Sequence, residues 1–372
     1  MQTMRGRASQ PRISAKPGHP ATLLDSESPY GARRVVVEYD GWTTAAYMHD
    51  QNDPIAATWL ANHHRAPSGI DLSLLDAGQA PQMPDGYTRH PDGRPPLDKD
   101  ALQAVWFEEG DGVALFEDGD LLAVIPGWSN MSKGIPGYSR DVIGQTPFGW
   151  SLEDAMEGLG GRVREASEFW RWRLDPQAWA QFQQGMLGHL VARLGPGARY
   201  WDVSGRRQPL TGVSERPPSG RRTYTVLSTV GMSCQRMPGI EQTEAGAARA
   251  RIELAVATTL PSNEAARIFL WLAQHPWREV SWFENGQTIR WYHEPSTFPL
   301  GRGNEAILFL DSPGRLLGPD VPDLSGFTVS GEPVTWLWLI PISNRERVLA
   351  ETRGSSSLVN QLAAQRRIWV VS

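Results

Sequence analysis

Thr223-Tyr224-Thr225-Val226-Leu227-Ser228-Thr229-Val230 is followed, after a stretch punctuated by Gly231, Gly239 and Gly246, by a second apolar run from Ala250 to Leu260. Both runs read as strands, because β-branched and aromatic side chains suit a pleated, buried surface. Ser262 then offers a cap for a helix through His275, which Pro276 closes. Two strands in succession before one helix is not the regular βαβ alternation of a doubly wound sheet. The stretch therefore predicts an α+β fold with mixed or antiparallel sheets and packed helices.

Toward the N-terminus, Arg34 to Tyr39 reads as a strand, Asp40-Gly41 as a tight turn and Trp42 to Met48 as the returning strand. Asp53-Pro54 opens a further apolar stretch through Leu60. Ala66 to Asp98 carries Pro81, Pro84, Pro91, Pro95 and Pro96 and reads as loop. Gly112 to Phe116 and Leu121 to Ile125, joined across Asp118-Gly119, form a second hairpin. Pro126 to Trp150 is a long loop broken by glycine and proline. Ser151 with Asp154 begins a helix, and Gly158-Leu159-Gly160-Gly161 reads as a helix stop. Asp175-Pro176 starts another, which runs to Leu194 before Gly195-Pro196.

Toward the C-terminus, Gly205 to Arg222 reads as a basic loop. Trp282 to Ile289 reads as a third hairpin turning at Asn285-Gly286. Ala306 to Leu310 and Val334 to Ile340 read as strands, and Ser343 with Glu346 as a capping box for a helix through Arg353. Ser355 to Gln365 is a last helix, and Trp369 to Val371 a short strand. The expected organisation is a disordered tail over 1–33, a β-rich N-terminal region with a helical link over 34–177, and a C-terminal domain over 178–372.

Composition narrows the function. At 372 residues the chain is long enough for two domains, and a net charge of −5 is not that of a nucleic-acid binder. The single cysteine, Cys234, cannot form an internal disulfide, which fits a reducing compartment, and no Cys/His spacing suits a metal site. No apolar run spans a bilayer, and the polar N-terminus with Arg5, Arg7, Arg12 and Lys16 lacks the apolar centre of a secretory signal. The expectation is a cytoplasmic protein without membrane, metal, cofactor or nucleic acid. Sixteen tryptophans point to bulky cores and to recognition surfaces.

The C-terminal half resembles the Suppressor of fused (SUFU) family. Four segments carry the resemblance in order: Thr225 to Ser233, ending in Thr-Val-Gly-Met-Ser; Arg251-Ile252-Glu253-Leu254; Leu260 to Pro276; and Leu339-Ile340-Pro341-Ile342 with Glu346 downstream. The resemblance implies a mixed α/β fold and protein binding, since animal members clamp a short extended peptide and bacterial members are thought to include immunity proteins that neutralise toxins. It supplies no catalytic residues.

The residues themselves give candidate contacts. Trp282, Arg290 and Tyr292 flank the third hairpin, where strand alternation over Thr288 to His293 puts Arg290 and Tyr292 on one face, away from Ile289 and Trp291. Trp128, Tyr138 and Arg140, beside Asp141, sit in a long loop of the kind that carries function. Arg206, Arg207, Arg216, Arg221 and Arg222 form a basic cluster that reads as a solvated loop or as a dock for an acidic partner. Cys234 reads as packing. The expected function is a non-enzymatic bacterial protein-binding module, most concretely a toxin-neutralising immunity protein. The alternatives are a regulatory adaptor for an endogenous protein, or an enzyme in which His49, His63 or His64 converges with Asp50 or Asp53.

Overall fold

The computed structural model describes residues 20–73, 80–243 and 246–372. The tail's Arg5, Arg7, Arg12 and Lys16, and part of the Ala66–Asp98 loop, lie outside them. The fold is α+β. Two compact units divide the chain. One comprises Met1–Ser28, Arg33–Phe107 and Gly112–Glu165, and the other Pro29–Ala32, Glu108–Asp111 and Ala166–Ser372.

The first unit holds two sheets. One has the order β1 (Ala21–Glu27), β2 (Arg34–Tyr39), β3 (Thr43–Asp50) and β4 (Asp53–Asn62). β1 falls inside the stretch read as tail; it pairs with β2, and Leu23, at a bulge in that pairing, is buried in the core beside Val35 and Val37. The second sheet contains β5 (Leu102–Trp106), β6 (Val113–Glu117), β7 (Asp120–Ile125), β8 (Tyr138–Ser139), β9 (Gln145–Thr146) and β10 (Gly149–Ser151), in the order β5-β6-β7-β8-β10-β9. Both N-terminal hairpins pair antiparallel as the turn residues predict. At the second, Asp118 (φ 52°) and Gly119 (φ 85°) take the left-handed backbone that a two-residue turn requires. Val35, Val37 and Leu60 from one sheet join Val113, Leu115 and Ile125 from the other in a single core. The Pro126–Trp150 loop is thus partly sheet, through β8, β9 and β10.

Helix α1 (Leu152–Arg173) begins after Ser151, whose Oγ accepts the Asp154 N–H at 3.3 Å. It runs through Gly158, Gly160 and Gly161, so these glycines are not stops. Glycine costs a helix only about 1 kcal/mol relative to alanine, and burial of Leu159, Val163 and Ala166 along α1 offsets it. Helix α2 (Ala178–Leu194) follows, ending at Gly195 with φ 84°.

The second unit is built on one sheet in the order β11-β12-β13-β14-β18-β16-β15, with β17 pairing β18. Its strands are β11 (Tyr200–Asp202), β12 (Gly212–Arg216), β13 (Thr225–Val230), β14 (Arg251–Thr258), β15 (Thr288–Arg290), β16 (Ala306–Leu310), β17 (Thr328–Val329) and β18 (Glu332–Ile342). β14 and β18 pair parallel, and the other strands antiparallel. Side chains alternate along each strand, so one face collects Leu227, Ile252, Leu254, Ile307, Phe309, Leu337 and Leu339. The opposite face collects Val226, Ala255, Leu308, Trp336, Trp338 and Ile340. Phe182, Met186 and Leu190 of α2 cover the second face, whereas Phe269, Leu272 and Trp277 cover the first. A sheet covered on both faces can carry an unbroken apolar strand, which is how β16 (Ala-Ile-Leu-Phe-Leu) reads.

Four further expectations are corrected in this unit. The Gly205–Arg222 loop contains β12, all of whose residues are buried. The helix expected from Ser262 is broken into α3 (Ser262–Ala265), a 3-10 turn, α4 (Phe269–Leu272) and α5 (His275–Glu279), with Pro261 as the cap residue and Pro276 in the first turn of α5. Proline fits a first turn, where its missing N–H has no intrahelical acceptor. The third hairpin does not form, because β15 pairs with β16 and not with Trp282–Glu284. Helices α6 (Asn344–Arg353) and α7 (Ser355–Ala364) close the chain, and the Ser343–Glu346 capping box is present. Trp369–Val371 forms an isolated bridge, Val371 to Thr258, in place of a strand. Among the described residues, no helix is long and apolar enough to cross a membrane.

Candidate protein-binding surface

β15 is the edge of the large sheet. A tight turn aims it: Gly286 (φ 89°) donates its N–H to the Phe309 carbonyl at 2.7 Å, and Asn285 Oδ1 accepts the Asp311 N–H at 3.1 Å. The strand ends at Arg290, so Tyr292 lies just past it, although burial still alternates: Arg290 exposed, Trp291 buried, Tyr292 exposed.

Trp291 is the anchor. Its ring meets Trp271 edge-on at 5.3 Å and Phe298 at 5.9 Å, and its indole N–H donates to Thr297 Oγ1 at 3.1 Å. Against this anchor Tyr292 remains 57% exposed, with its ring 5.1 Å from Trp271 and 3.8 Å from His293. Leu270, next to Trp271 on α4, is 58% exposed. The Arg290 side chain reaches solvent, and Glu305 approaches it only to 4.0 Å. The surface combines a cation, an aromatic shelf and an open strand edge, each of which can bind an extended peptide. Trp282 is elsewhere: half-buried, it packs on the core and lies against Gly239.

Trp128, Tyr138 and Arg140 belong to the first unit. The Arg162 guanidinium lies 5.3 Å over the Trp128 ring, and Tyr138 meets Trp150 edge-on at 5.6 Å. Arg140 donates to Glu117 at 3.0 Å and lies 3.5 Å from Asp141, carboxylates that Arg94 also engages at 2.8 and 2.9 Å. Arg140 is therefore committed to an ion network. Nearby in the same unit is a cleft of about 350 Å³ lined by apolar residues, including Tyr47, Trp59, Met131, Ile135 and Phe148.

The basic cluster divides. Arg216 is 2% exposed and donates to the Gly195 carbonyl at 3.1 Å. Arg222 donates to the carbonyls of Leu194, Arg216, Pro217 and Tyr224. Both hold the end of α2 to β12, and burial lowers the affinity of each guanidinium for its proton. Arg206, Arg207 and Arg221 remain exposed.

Among the described residues, none of His49, His63 and His64 is hydrogen-bonded to Asp50 or Asp53, and the histidine that meets a carboxylate is His90, with Nε2 3.6 Å from Asp141. His63 bonds to Thr44 Oγ1 at 2.7 Å and to the Arg94 carbonyl at 3.0 Å, and burial lowers its pKa. His64 Nε2 faces the Gly41 carbonyl, and His49 Nδ1 the Asn52 carbonyl. Among the described residues, no group of His, Cys, Asp and Glu can hold a metal ion. Cys234 is buried beside Arg173, which donates to its Sγ at 3.2 Å, and burial pushes the thiol up to about 12. Such a thiol is protonated at neutral pH and a poor nucleophile.

One constellation joins two of the sequence segments, Thr225 to Ser233 and Arg251 to Leu254, that sequence reading alone left separate. Glu253 is fully buried on β14, and Thr229 to Ser233 wrap its carboxylate. Oε1 accepts the Gly231 N–H at 2.9 Å, the Ser233 N–H at 3.1 Å and the Ser233 hydroxyl at 2.7 Å, while Oε2 accepts the Thr229 hydroxyl at 2.6 Å. Burial pushes this carboxyl above its ordinary range, and the four donors pull against that. The signal was present as Thr-Val-Gly-Met-Ser followed by Glu-Leu, but pairing the two needs the strand register.

Beside this cage, Arg251 and Arg236 bridge Glu108 and Glu332. Arg251 reaches them at 2.9 and 2.7 Å, and Arg236 at 3.2 and 2.8 Å. Tyr30 donates its hydroxyl to the Glu108 carbonyl at 2.7 Å and joins the core of the second unit.

Residues 206–372 match the family of Suppressor of fused proteins (SUFU). The SUFU region therefore includes β12 to β18, the Glu253 cage, β15 and the Arg290–Tyr292 surface. A SUFU homologue from Neisseria gonorrhoeae FA 1090 is 16% identical with a TM-score of 0.37, over 51% of this chain and 93% of that one. A Sufu–Fu complex gives 14% identity and a TM-score of 0.36, over 51% of this chain and 88% of that one. Drosophila Suppressor of Fused gives 14% and 0.30, over 51% and 49%. No curated protein matches.

Proposed function

We propose that the chain is a non-enzymatic, cytoplasmic protein-binding module, and that its SUFU region receives an extended segment of a partner protein along the edge of β15. The observation that carries this reading is the exposed Arg290–Tyr292 surface on an open sheet edge within the SUFU region. Backbone N–H and C=O groups on such an edge pair with an incoming strand whatever its sequence, while the Tyr292–Trp271 shelf and Arg290 select its side chains. The most concrete role is that of an immunity protein, which holds a toxin inactive. Toxin neutralisation needs tight, durable binding, and a rigid aromatic anchor such as Trp291 provides a pre-ordered surface for it.

The test is affinity purification of the tagged, cross-linked protein from its native host, with partners identified by mass spectrometry. One dominant partner is expected, lost when Arg290 and Tyr292 are both changed to Ala in a protein that still melts cooperatively. Retention of that partner by the double variant removes β15 as the surface. A partner with toxin activity that the protein suppresses supports the immunity role, and a housekeeping partner replaces it with the adaptor reading.

A further inference from the structure

A different face of the second unit carries its own pattern. Arg345, Val348, Leu349, Thr352 and Arg353 recur at the three- and four-residue spacing that makes one stripe along α6. Together with Gln361 and Gln365 at the C-terminal end of α7, this stripe lines a groove of about 520 Å³. Helix α6 turns Glu346 and Ala350 inward, while Val348 is left 42% exposed in the stripe.

The charges around the groove are divided unevenly. Glu346 is held by Arg367 at 2.6 Å and by the Ser343 hydroxyl and N–H, and Glu351 is paired with Arg347. Among the described residues, no carboxylate pairs with Arg345 or Arg353. The groove thus sets Val348 and Leu349 between two uncompensated cations, within an otherwise polar lining that includes the paired Glu346. Eight residues of helix separate them, or about 12 Å along the axis.

We infer that the groove between α6 and α7 docks an acidic, amphipathic helix of a partner protein, with carboxylates two turns apart that reach Arg345 and Arg353 across apolar side chains seated on Val348 and Leu349. This inference rests on the protein-binding reading; α6 lies beside β15, but the groove is lined by residues of α6 and α7 and not by Arg290 or Tyr292. Charge complementarity fixes the sign of the occupant. With Val348 and Leu349 and no aromatic residue in its lining, the groove favours a peptide over a nucleic-acid strand, whose bases need aromatic platforms. Helix-in-groove docking supplies the geometry, since helical residues eight apart repeat the same spacing on the partner.

The test titrates a short fluorescein-labelled helical peptide, with two glutamates eight residues apart and leucines between them, into the full-length chain, followed by anisotropy. A control peptide carries lysines in place of the glutamates. Binding of the glutamate peptide alone is expected, weakening as salt rises. The Arg345→Glu/Arg353→Glu variant is expected to weaken it by about tenfold or more, and Val348→Asp to weaken it as well. Arg290→Ala/Tyr292→Ala, outside the groove lining, is expected to weaken it less than the change at Arg345 and Arg353, so failure here and failure of the β15 surface are read separately. If charge reversal disrupts folding, Arg345→Gln/Arg353→Gln gives the same comparison with less perturbation. Equal binding by the charge-altered variant, equal binding of the lysine peptide, or displacement of the probe by inorganic phosphate at moderate salt overturns the inference. So does concentration-dependent self-association that the same substitutions abolish, because a second copy is then the occupant.

Discussion

Glu253 shows how much one side chain can organise. Its carboxylate satisfies two backbone N–H groups and two hydroxyls that have no access to water. Glu253→Ala leaves these donors buried and unpaired, a loss of about 3 kcal/mol or more. The expected outcome is a clearly lower urea midpoint with an unchanged slope. A shift no larger than that of an ordinary surface substitution would show that water replaces the carboxylate. Cys234 gives a second check at this scale. Because burial pushes its thiol up to about 12, it resists a thiol-specific reagent at pH 8 in the folded protein and reacts once urea unfolds the chain. Labelling of the native protein at the rate of an exposed thiol contradicts the burial of Cys234.

At the scale of elements, the turns and caps decide where strands and helices stop. Gly231 closes β13 at φ 118°, where a Cβ would stand 2.3 Å from the Leu210 carbonyl oxygen. Gly231→Ala must move one of the two backbones that meet there, and so displace the N–H that serves Glu253. It is expected to destabilise the protein by more than Glu253→Gln, as read by thermal melting. The α6 cap is more local. Ser343 Oγ accepts the Glu346 N–H and the Glu346 carboxylate returns to the Ser343 N–H. Ser343→Ala is expected to cost about 1 kcal/mol, and to fray α6 in hydrogen exchange before any other helix.

For the molecule as a whole, buried histidines set a pH dependence. His63 in the first unit and His275 in the second are both held neutral by burial, with pKa values below the ordinary 6.5. Since the unfolded chain takes up these protons first, the stability they contribute is fully present above about pH 6.5 and is lost as pH falls toward their folded values. The denaturation midpoint is expected to drop between pH 7.5 and 5.5, and less so in a His63→Gln/His275→Gln variant. A variant with the same pH slope as the parent assigns the dependence to other groups.

The sequence by itself determined what local spacing can encode. The Asp40-Gly41 and Asp118-Gly119 hairpins, the end of α2 at Gly195, the capping box before α6 and the order of the SUFU segments all follow from neighbours a few residues apart, as does the α+β class. The exposure of Arg290 and Tyr292 was legible too, because alternation continues past the end of β15. Tertiary structure decided whatever depends on distant partners. Arg216 and Arg222 read as solvated loop until the end of α2 provides carbonyls for them. Glycines that should end α1 are carried through by burial along its length, and Asn285-Gly286 turns the chain toward β16 and not back on itself. The Glu253 cage and the Glu108–Arg251–Glu332–Arg236 network join segments far apart in the chain. Their residue types were visible, but only strand register and burial make them partners, because a polar group leaves water only where folding has already placed its complement.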